Sequence, residues 1–393
     1  MYGFIEKRME ATHVTNQDLA DKLNVNTSTI SRFLSGKNEL KFETLFEAIR
    51  FLFKEEEQPE ICKFYFLHLR NKRNVKCALE YFSANHDMES LKHVIDREKP
   101  HATADLKELI FLYELKYKLV HCKEDLASVV ENKNGNNATF RTKEAQAVLT
   151  VQKLIVGLVA RKYQLIYDGK DIAFQKISEL EDGFVKDSLM NTVHALLVTC
   201  YLYYNDIDAA KDSIFKAQKT FTTYYIEAST YYHLAKINFA HSYETALNNF
   251  IKALSICDAI GKKDLVMVIK ERGIPFLHLY HNRPEKVNDI KNLVEHIQAY
   301  YCFRTGELTK AKAIVSKYED VNCPYKYFIK GEVLDDSNSY WLSLLTFVNQ
   351  GDILHLDLPI IALEKKGVST NALNTLLTSR ATINQTISTS SFL

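Results

Sequence analysis

Glycine and proline are scarce in this sequence, which has 12 glycines and 6 prolines among 393 residues. Both residues interrupt helices, so their scarcity argues against a chain dominated by turns and breaks. Leu, Ala, Lys and Glu instead recur at spacings of three and four over most of the chain. This periodicity predicts an all-α fold.

Cysteine pairs and catalytic motifs are missing as well. The 7 cysteines include no CxxC pair and their number is odd, which excludes a zinc ribbon and a disulfide framework. The chain has no Gly-rich phosphate loop, no GxSxG and no HExxH. His278 and His281 stand three residues apart, but nothing nearby completes a metal site, so packing is favoured. We predict no enzyme, no cofactor and no metal site.

Long apolar runs and a strong net charge are also lacking. No run reaches the ~18 apolar residues that a membrane span needs, and the first residues, MYGFIEKRMEA, lack the apolar centre of a signal peptide. We therefore expect a cytoplasmic protein without a membrane contact. The formal net charge is only +1, so nucleic-acid binding requires a local patch.

Three parts of the chain are expected. Residues 1–55 form a unit of short helices, which ends at the acidic stretch before Pro59. Residues 56–377 alternate helical segments with short breaks, apart from an Asn-rich loop at 131–142. Residues 378–393 are a polar tail rich in Ser, Thr and Asn.

The long helical part contains an internal repeat. The pattern of Ala210, Ile214 and Ala217 returns as Ala246, Phe250 and Ala253, and a degenerate third copy lies at 308–317. Small residues at fixed places let paired helices approach closely, as in tetratricopeptide units of ~34 residues. Such units stack into a superhelix with a concave side. An irregular helical bundle is the alternative.

The sharpest local pattern lies at 15–37, TNQDLADKLNVNTSTISRFLSGK. Its apolar spacing predicts two short helices that cross at Ala20, and it resembles the Xre/Cro-type helix-turn-helix. Asn24 occupies the turn position where that family usually has Gly, and Asn tolerates a left-handed backbone next best. A module kept only for docking to protein is the alternative.

In that docking geometry the second helix lies in the major groove, with Arg32 able to hold guanine through two hydrogen bonds. The expected DNA-binding residues are Asn16, Gln17, Lys22, Asn26, Thr27, Ser28, Ser31, Arg32 and Lys37. One such unit neutralises few phosphates and binds weakly, so a homodimer on double-stranded operator DNA is expected. The apolar i, i+3, i+4 stripe of Leu373, Leu376 and Leu377 at the end of the array is the predicted dimer contact.

A concave helical groove suits a short extended peptide. The repeat pattern places Thr199 and Tyr203 of one inner helix, and Tyr225, Tyr232 and Lys236 of the next, on the groove side. Lys236 could pair with a peptide carboxylate, and the tyrosines could wall apolar side chains.

Three separate segments carry a resemblance over most of the chain: CALEY at 77–81 with Ala84-Asn85, FIKALSI at 250–256, and LPIIALEKKG at 358–367. With the helix-turn-helix head and the repeat body, the chain resembles peptide-responsive regulators of Gram-positive bacteria. Within them it is most similar to the AimR-type arbitrium receptors of temperate phages that infect bacilli.

The resemblance implies a dimeric transcription regulator that favours lysis until a signalling hexapeptide binds, switches it off and favours lysogeny. It also implies an arginine in the peptide, for which Asp352 is the first candidate partner and Glu332 the second. Two alternatives have other functions: a host quorum-sensing regulator with the same parts, and a peptide-regulated phosphatase or scaffold that does not bind DNA.

Overall fold

The computed structural model of the protein describes residues 3–122, 140–204, 206–218, 221–318, 322–350, 355–369, 371 and 373. Within these ranges the regular structure is helical and no strand occurs, which confirms the predicted all-α fold. The α-helices, numbered in chain order, are α1 Gly3–Thr12, α2 Asn16–Lys22, α3 Thr27–Leu34, α4 Phe42–Leu52, α5 Gln58–Phe66, α6 Lys72–Ala84, α7 Met88–Glu98, α8 Ala104–Cys122, α9 Lys143–Val159, α10 Tyr163–Ser178, α11 Phe184–Tyr203, α12 Ile207–Ala217, α13 Tyr224–Ile237, α14 Tyr243–Ala259, α15 Lys263–Val268, α16 Ile274–Tyr280, α17 Glu295–Arg304, α18 Leu308–Val315, α19 Pro324–Leu334, α20 Ser337–Gln350 and α21 Asp357–Lys365.

The first four helices form a small head around buried Leu19, Ala20, Ile30 and Phe33. Its core does not end at the predicted boundary between residues 55 and 56. The ring of Phe42 on α4 lies 4.2 Å from that of Phe66 and 4.5 Å from that of Phe184, measured between centroids. Head and body therefore share one apolar cluster, which extends from Ile5 to Tyr224.

The body is a series of helical hairpins joined by short turns, among them α11 with α12, α13 with α14, and α17 with α18. The small residues of the predicted repeat lie at the places where paired helices approach. Ala210, Ala217, Ala246, Ala253 and Ala311 are all fully buried. Ile214, Phe250 and Val315, which occupy the large positions of the pattern, are buried as well.

Helix α13 joins two apolar clusters. Tyr224, at its first residue, belongs to the cluster shared with the head, whereas Ala235, near its last, belongs to a second cluster that extends from Ala235 to Leu373. One continuous helix of 14 residues thus contacts both halves of the molecule.

Of the dimer stripe predicted at the end of the array, the structure describes Leu373, whose side chain is fully buried in the second cluster of its own chain. Leu376 and Leu377 lie outside the described residues, as do Asp352, most of the 131–142 loop and the 378–393 tail.

No helix in the part of the chain that the structure describes combines the length and the hydropathy that a membrane span requires.

Candidate functional site

The start of the helix-turn-helix is fixed by a capping box. The Asp18 amide donates to the Thr15 hydroxyl at 3.1 Å, and the Thr15 amide donates to the Asp18 carboxylate at 2.9 Å. The Thr15 hydroxyl also donates to the Asp18 carboxylate at 2.6 Å, and this bond, together with the one from the Thr15 amide, lowers the pKa of Asp18 because it favours the charged form. Helix α2 therefore begins at Asn16, with Gln17 in its exposed first turn.

The turn between α2 and α3 has the expected left-handed backbone. Asn24 has φ of 51°, which confirms the left-handed conformation expected of Asn at this position. Helix α3 then begins at Thr27, and its residues Ile30 and Phe33 are buried. Ser28, Ser31 and Arg32 are exposed, so the predicted base-reading residues lie on the open side of the helix.

A hydrogen bond joins the two helices at this surface. The Thr27 hydroxyl donates to Gln17 Oε1 at 2.6 Å, and Gln17 Nε2 donates to Asp21 Oδ1 at 2.7 Å. Thr27 is half-buried and Ser31 donates its hydroxyl to the Thr27 carbonyl at 3.1 Å. Gln17 thus holds the first residue of α3 in a defined rotamer, a role that sequence reasoning missed.

The remaining predicted DNA contacts surround this helix. Asn26 precedes α3 as its exposed N-cap residue, and Lys37 is exposed in the turn after it. The amide of Lys37 donates to the Arg32 carbonyl at 2.9 Å, which places that turn against the end of α3. Lys22 lies with its ammonium 5.5 Å from the ring centroid of Phe51 on α4.

The second candidate site is a cavity of about 240 Å³ in the second half of the body. Helix α13 supplies Tyr232 and Lys236, and α17 supplies His296. The complete lining is Tyr232, Lys236, Phe239, Phe250, Val268, Arg272, Gly273, Phe276, His296, Ile297, Cys323, Tyr325 and His355.

The cavity combines cations with aromatic walls. Lys236 and Arg272 contribute two positive charges, and no carboxylate occurs among the described lining residues. Burial, together with the cations Arg272 and Lys326, lowers the pKa of His296 to about 4, so this ring is neutral at pH 7. The cavity is thus suited to a carboxylate that carries apolar neighbours.

Irregular backbone shapes one wall of the cavity. Residues Ile269–Gly273 form a single π turn between α15 and α16, and Arg272 and Gly273 of this turn line the cavity. A Cβ atom on Gly273 would stand 3.2 Å from the Phe250 ring, so glycine allows that ring to approach. Gly273 followed by Pro275 is the local sequence signal of this break, and it lies outside the repeat pattern.

Seven residues are predicted to contact a peptide, and among the six that the structure describes, Tyr232 and Lys236 line this cavity. Thr199 is half-buried on α11, and Tyr203 stacks on Tyr163 at 4.2 Å between centroids. Tyr225 lies 4.3 Å from the His86 ring.

Glu332 differs from its expected role, because its carboxylate accepts from Arg304 of the same chain at 3.1 Å and from the Tyr340 hydroxyl at 2.9 Å. Asp352 lies outside the described residues. Arg272, His296, Tyr325 and His355 were not predicted. They come from helices and turns far apart in the sequence, which the short-range repeat pattern does not relate to each other.

Helix α13 connects this cavity with the head. The Tyr224 hydroxyl donates to Gln58 Oε1 at 3.1 Å, and the guanidinium of Arg50 lies 4.6 Å from the Phe46 ring centroid and 5.9 Å from that of Tyr224. Arg50 also donates to the Thr222 carbonyl at 3.3 Å. Lys236 follows Tyr224 by three turns of helix, about 18 Å along its axis.

The fold and these two sites define a class: a transcription regulator with a helix-turn-helix head on a helical body. A helix-turn-helix family model matches residues 5–58, and the AimR transcriptional regulator-like family model matches residues 57–365, more than half of the chain. The chain belongs to the AimR-like family of transcriptional regulators. This is a family of regulators, in agreement with the prediction that the chain is no enzyme.

Relatives support this membership. The chain is 23% identical over 354 residues to the AimR transcriptional regulator of Bacillus phage SPbeta, covering 87% of this chain and 89% of that protein. It is 22% identical over 207 residues to AimR of Bacillus phage phi3T, covering 51% of this chain and 54% of the relative.

Solved structures share the fold. The selenomethionine structure of phAimR superposes with a TM-score of 0.77 at 18% identity, covering 96% of this chain and 99% of that one. A structure of phAimR with a ligand has a TM-score of 0.64 at 19% identity, covering 84% and 98%.

Proposed function

We propose that this AimR-like regulator binds double-stranded operator DNA as a homodimer and loses that affinity when a short signalling peptide, a hexapeptide by family resemblance, occupies the cavity. The output would be the choice between phage lysis and lysogeny. The observation that carries the proposal is helix α13, whose first residue packs on the head and whose last turn lines a cationic, aromatic cavity.

DNA binding would use the open side of α2 and α3. Ser28, Ser31 and Arg32 would meet base edges, while Asn16 at the start of α2 and Lys37 beyond α3 would bind phosphates. Gln17 would act as a positioning residue, because it orients Thr27. The second half-site requires a second head, and the dimer contact is proposed within the C-terminal part of the body.

Peptide binding would use the cavity for one end of the ligand. Its volume of about 240 Å³ is below the roughly 300–1,000 Å³ of complete small-ligand pockets, so it would admit the last residues and leave the others outside. Lys236 and Arg272 would bind the terminal carboxylate, since both are cations at the wall. Tyr232, Phe250 and Phe276 would contact the apolar side chains.

The test is isothermal titration of synthetic hexapeptides, each made with a free carboxylate and with an amidated C-terminus. We expect the free-acid peptide to bind wild type, and the amidated peptide to bind wild type at least tenfold more weakly. We expect the free-acid peptide to bind Lys236→Ala and Arg272→Ala at least tenfold more weakly than it binds wild type. Lys252→Ala is the matched control, because Lys252 is exposed on α14, outside the cavity lining. Equal affinity of acid and amide would reject the carboxylate assignment.

The regulatory part is tested by operator binding with and without peptide. Linkage requires that peptide weakens DNA binding by the same factor by which DNA weakens peptide binding. Sedimentation of the free and liganded protein distinguishes loss of the dimer from a change within it. Operator affinity that does not respond to a bound peptide would reject the switch.

A further inference from the structure

A basic segment of the body lies beside the DNA-reading head. Residues 70–76, RNKRNVK, contain four cations and no acid, and α6 begins within them after the N-cap Asn71. The segment belongs to the family-model region of the body and not to the helix-turn-helix pattern at 15–37. The position of this segment in the fold indicates whether its charges can contact DNA or are only exposed to solvent.

A set of hydrogen bonds, here called the Glu39 clamp, fixes this segment to the head. The amides of Arg70 and Asn71 donate to the Glu39 carboxylate at 2.7 and 3.0 Å, and Asn74 Nδ2 donates to it at 3.1 Å. Asn74 also accepts from the Phe42 amide at 3.0 Å. The turn between α3 and α4 is therefore held directly on the start of α6.

The same turn is joined to the recognition helix α3. The amides of Lys37 and Asn38 donate to the Arg32 carbonyl at 2.9 and 3.3 Å. The chain of contacts is thus continuous from Arg32 through the turn to Arg70. In helix-turn-helix complexes, segments that flank the recognition helix bind the sugar-phosphate backbone and set the register of the protein on the duplex.

The charges on this segment are not all available. Lys76 is paired with Glu144 at 2.8 Å, and Arg73 lies 3.5 Å from Glu43. The side chain of Arg70 is 65% exposed, with Glu98 as far as 3.9 Å away. Lys72 is exposed and forms no ion pair within the part of the chain that the structure describes.

Glu39 forms no ion pair with the side chain of Arg70 or Lys72 among the described ion pairs. The Glu39 carboxylate accepts the main-chain amides of Arg70 and Asn71, and it contacts no guanidinium or ammonium among the described ion pairs. Arg70 therefore presents its charge to the solvent next to the turn between α3 and α4, and Lys72 is exposed at the start of α6, where it lines an open cavity that also contains Asp105 and Asp182.

We propose that Arg70 and Lys72 bind the phosphate backbone of the DNA duplex and extend the footprint of the head onto the body. The inference rests on the proposed DNA binding through α3. Because phosphate contacts are independent of sequence, Arg70 and Lys72 would strengthen specific and non-specific binding alike. They would also set the angle between head and duplex, since the Glu39 clamp holds them at a fixed place beside α3.

The test is fluorescence anisotropy with a labelled duplex of arbitrary sequence, long enough for both half-sites, over a series of salt concentrations. The slope of log K against log salt is negative, and each lost phosphate contact reduces its magnitude by about 0.9, so Arg70→Ala with Lys72→Ala should reduce that magnitude by about 1.8 for each bound head. The clamp survives in this variant, because it uses the main-chain amide of residue 70. Arg70→Lys with Lys72→Arg should keep the wild-type slope.

Lys76→Ala is the matched control, since Lys76 lies on the same helix but is paired and its side chain is only 24% exposed. A slope equal to that of wild type in the Arg70/Lys72 double variant would overturn the inference. An equal loss in Lys76→Ala would overturn it too, because the effect would then reflect net charge and not contact. If Lys37→Ala reduces the magnitude of the slope and the double variant does not, the proposed DNA binding by the head is supported and the proposed phosphate contacts of Arg70 and Lys72 are rejected. Wild type that binds no duplex rejects the proposed function itself.

Discussion

Arg32 is exposed on α3, whereas Ile30 and Phe33 of the same helix are buried in the head. We therefore expect Arg32→Ala to keep the fold and peptide binding and to lose operator specificity. The expected loss is ~1–3 kcal/mol for each half-site, the value of one two-hydrogen-bond contact to guanine. A gel shift at constant salt measures it, with circular dichroism as the control for folding. Unchanged operator affinity would remove Arg32 from the interface.

His296 predicts a pH dependence of peptide binding. Its pKa is about 4 in the unliganded cavity, because burial and the cations Arg272 and Lys326 oppose protonation. A bound carboxylate would raise this pKa, so binding would take up protons and the affinity would rise as the pH falls from 7 toward about 5. Titrations in buffers of different ionisation enthalpy measure the uptake. His296→Phe should abolish it, and a wild-type affinity that falls on acidification would contradict the prediction.

Three helices of the body meet at a buried polar group. The Glu80 carboxylate on α6 accepts from Tyr113 of α8 and from Ser188 of α11, both at 2.7 Å. Burial raises the pKa of Glu80 and lowers the pKa of Lys116, which donates to the Ser83 carbonyl at 3.0 Å. The charge of Lys116 opposes the rise in the pKa of Glu80, and the charge of Glu80 opposes the fall in the pKa of Lys116.

We expect Lys116→Met to lower the free energy of unfolding by about 1–3 kcal/mol, because it removes the positive charge that favours the ionised Glu80 and leaves the buried Ser83 carbonyl without its donor. Lys118→Met on the same helix should change it by less than about 0.5 kcal/mol, since Lys118 is exposed. Urea unfolding measures both. The addition of Glu80→Gln to Lys116→Met should recover part of the loss, and a single variant as stable as wild type would refute the charge argument.

At the scale of the whole molecule, α13 is the continuous connection between cavity and head. Tyr224→Phe keeps the ring in the core and removes the hydrogen bond to Gln58, a loss of about 1 kcal/mol. We expect DNA affinity and peptide affinity each to stay near wild type, while their mutual effect decreases. Peptide titrations with and without operator measure this coupling, and Tyr231→Phe on the same helix is the control. If the coupling between peptide binding and DNA binding in Tyr224→Phe equals that of wild type, the contact of α13 with the head does not transmit it.

Sequence reasoning was most successful where local chemistry decides the structure. Asn24, the start of α3 at Thr27, and the buried Ala246, Phe250 and Ala253 all follow from patterns within a few residues. It said least about the ligand site, where its residues remain predictions. The repeat pattern placed Tyr203 and Tyr225 in a groove, and in the structure each packs on an aromatic ring of a neighbouring segment.

By itself, the sequence determined the helical class, the helix-turn-helix and the family, because periodicity, capping and turn residues act over one or two helical turns. Only the tertiary structure decided that head and body share a core, that Leu373 is internal, and that Arg272 and His296 meet Lys236 in one cavity. These facts depend on contacts between residues tens of positions apart. Such contacts are set by how the hairpins pack, which no local pattern encodes.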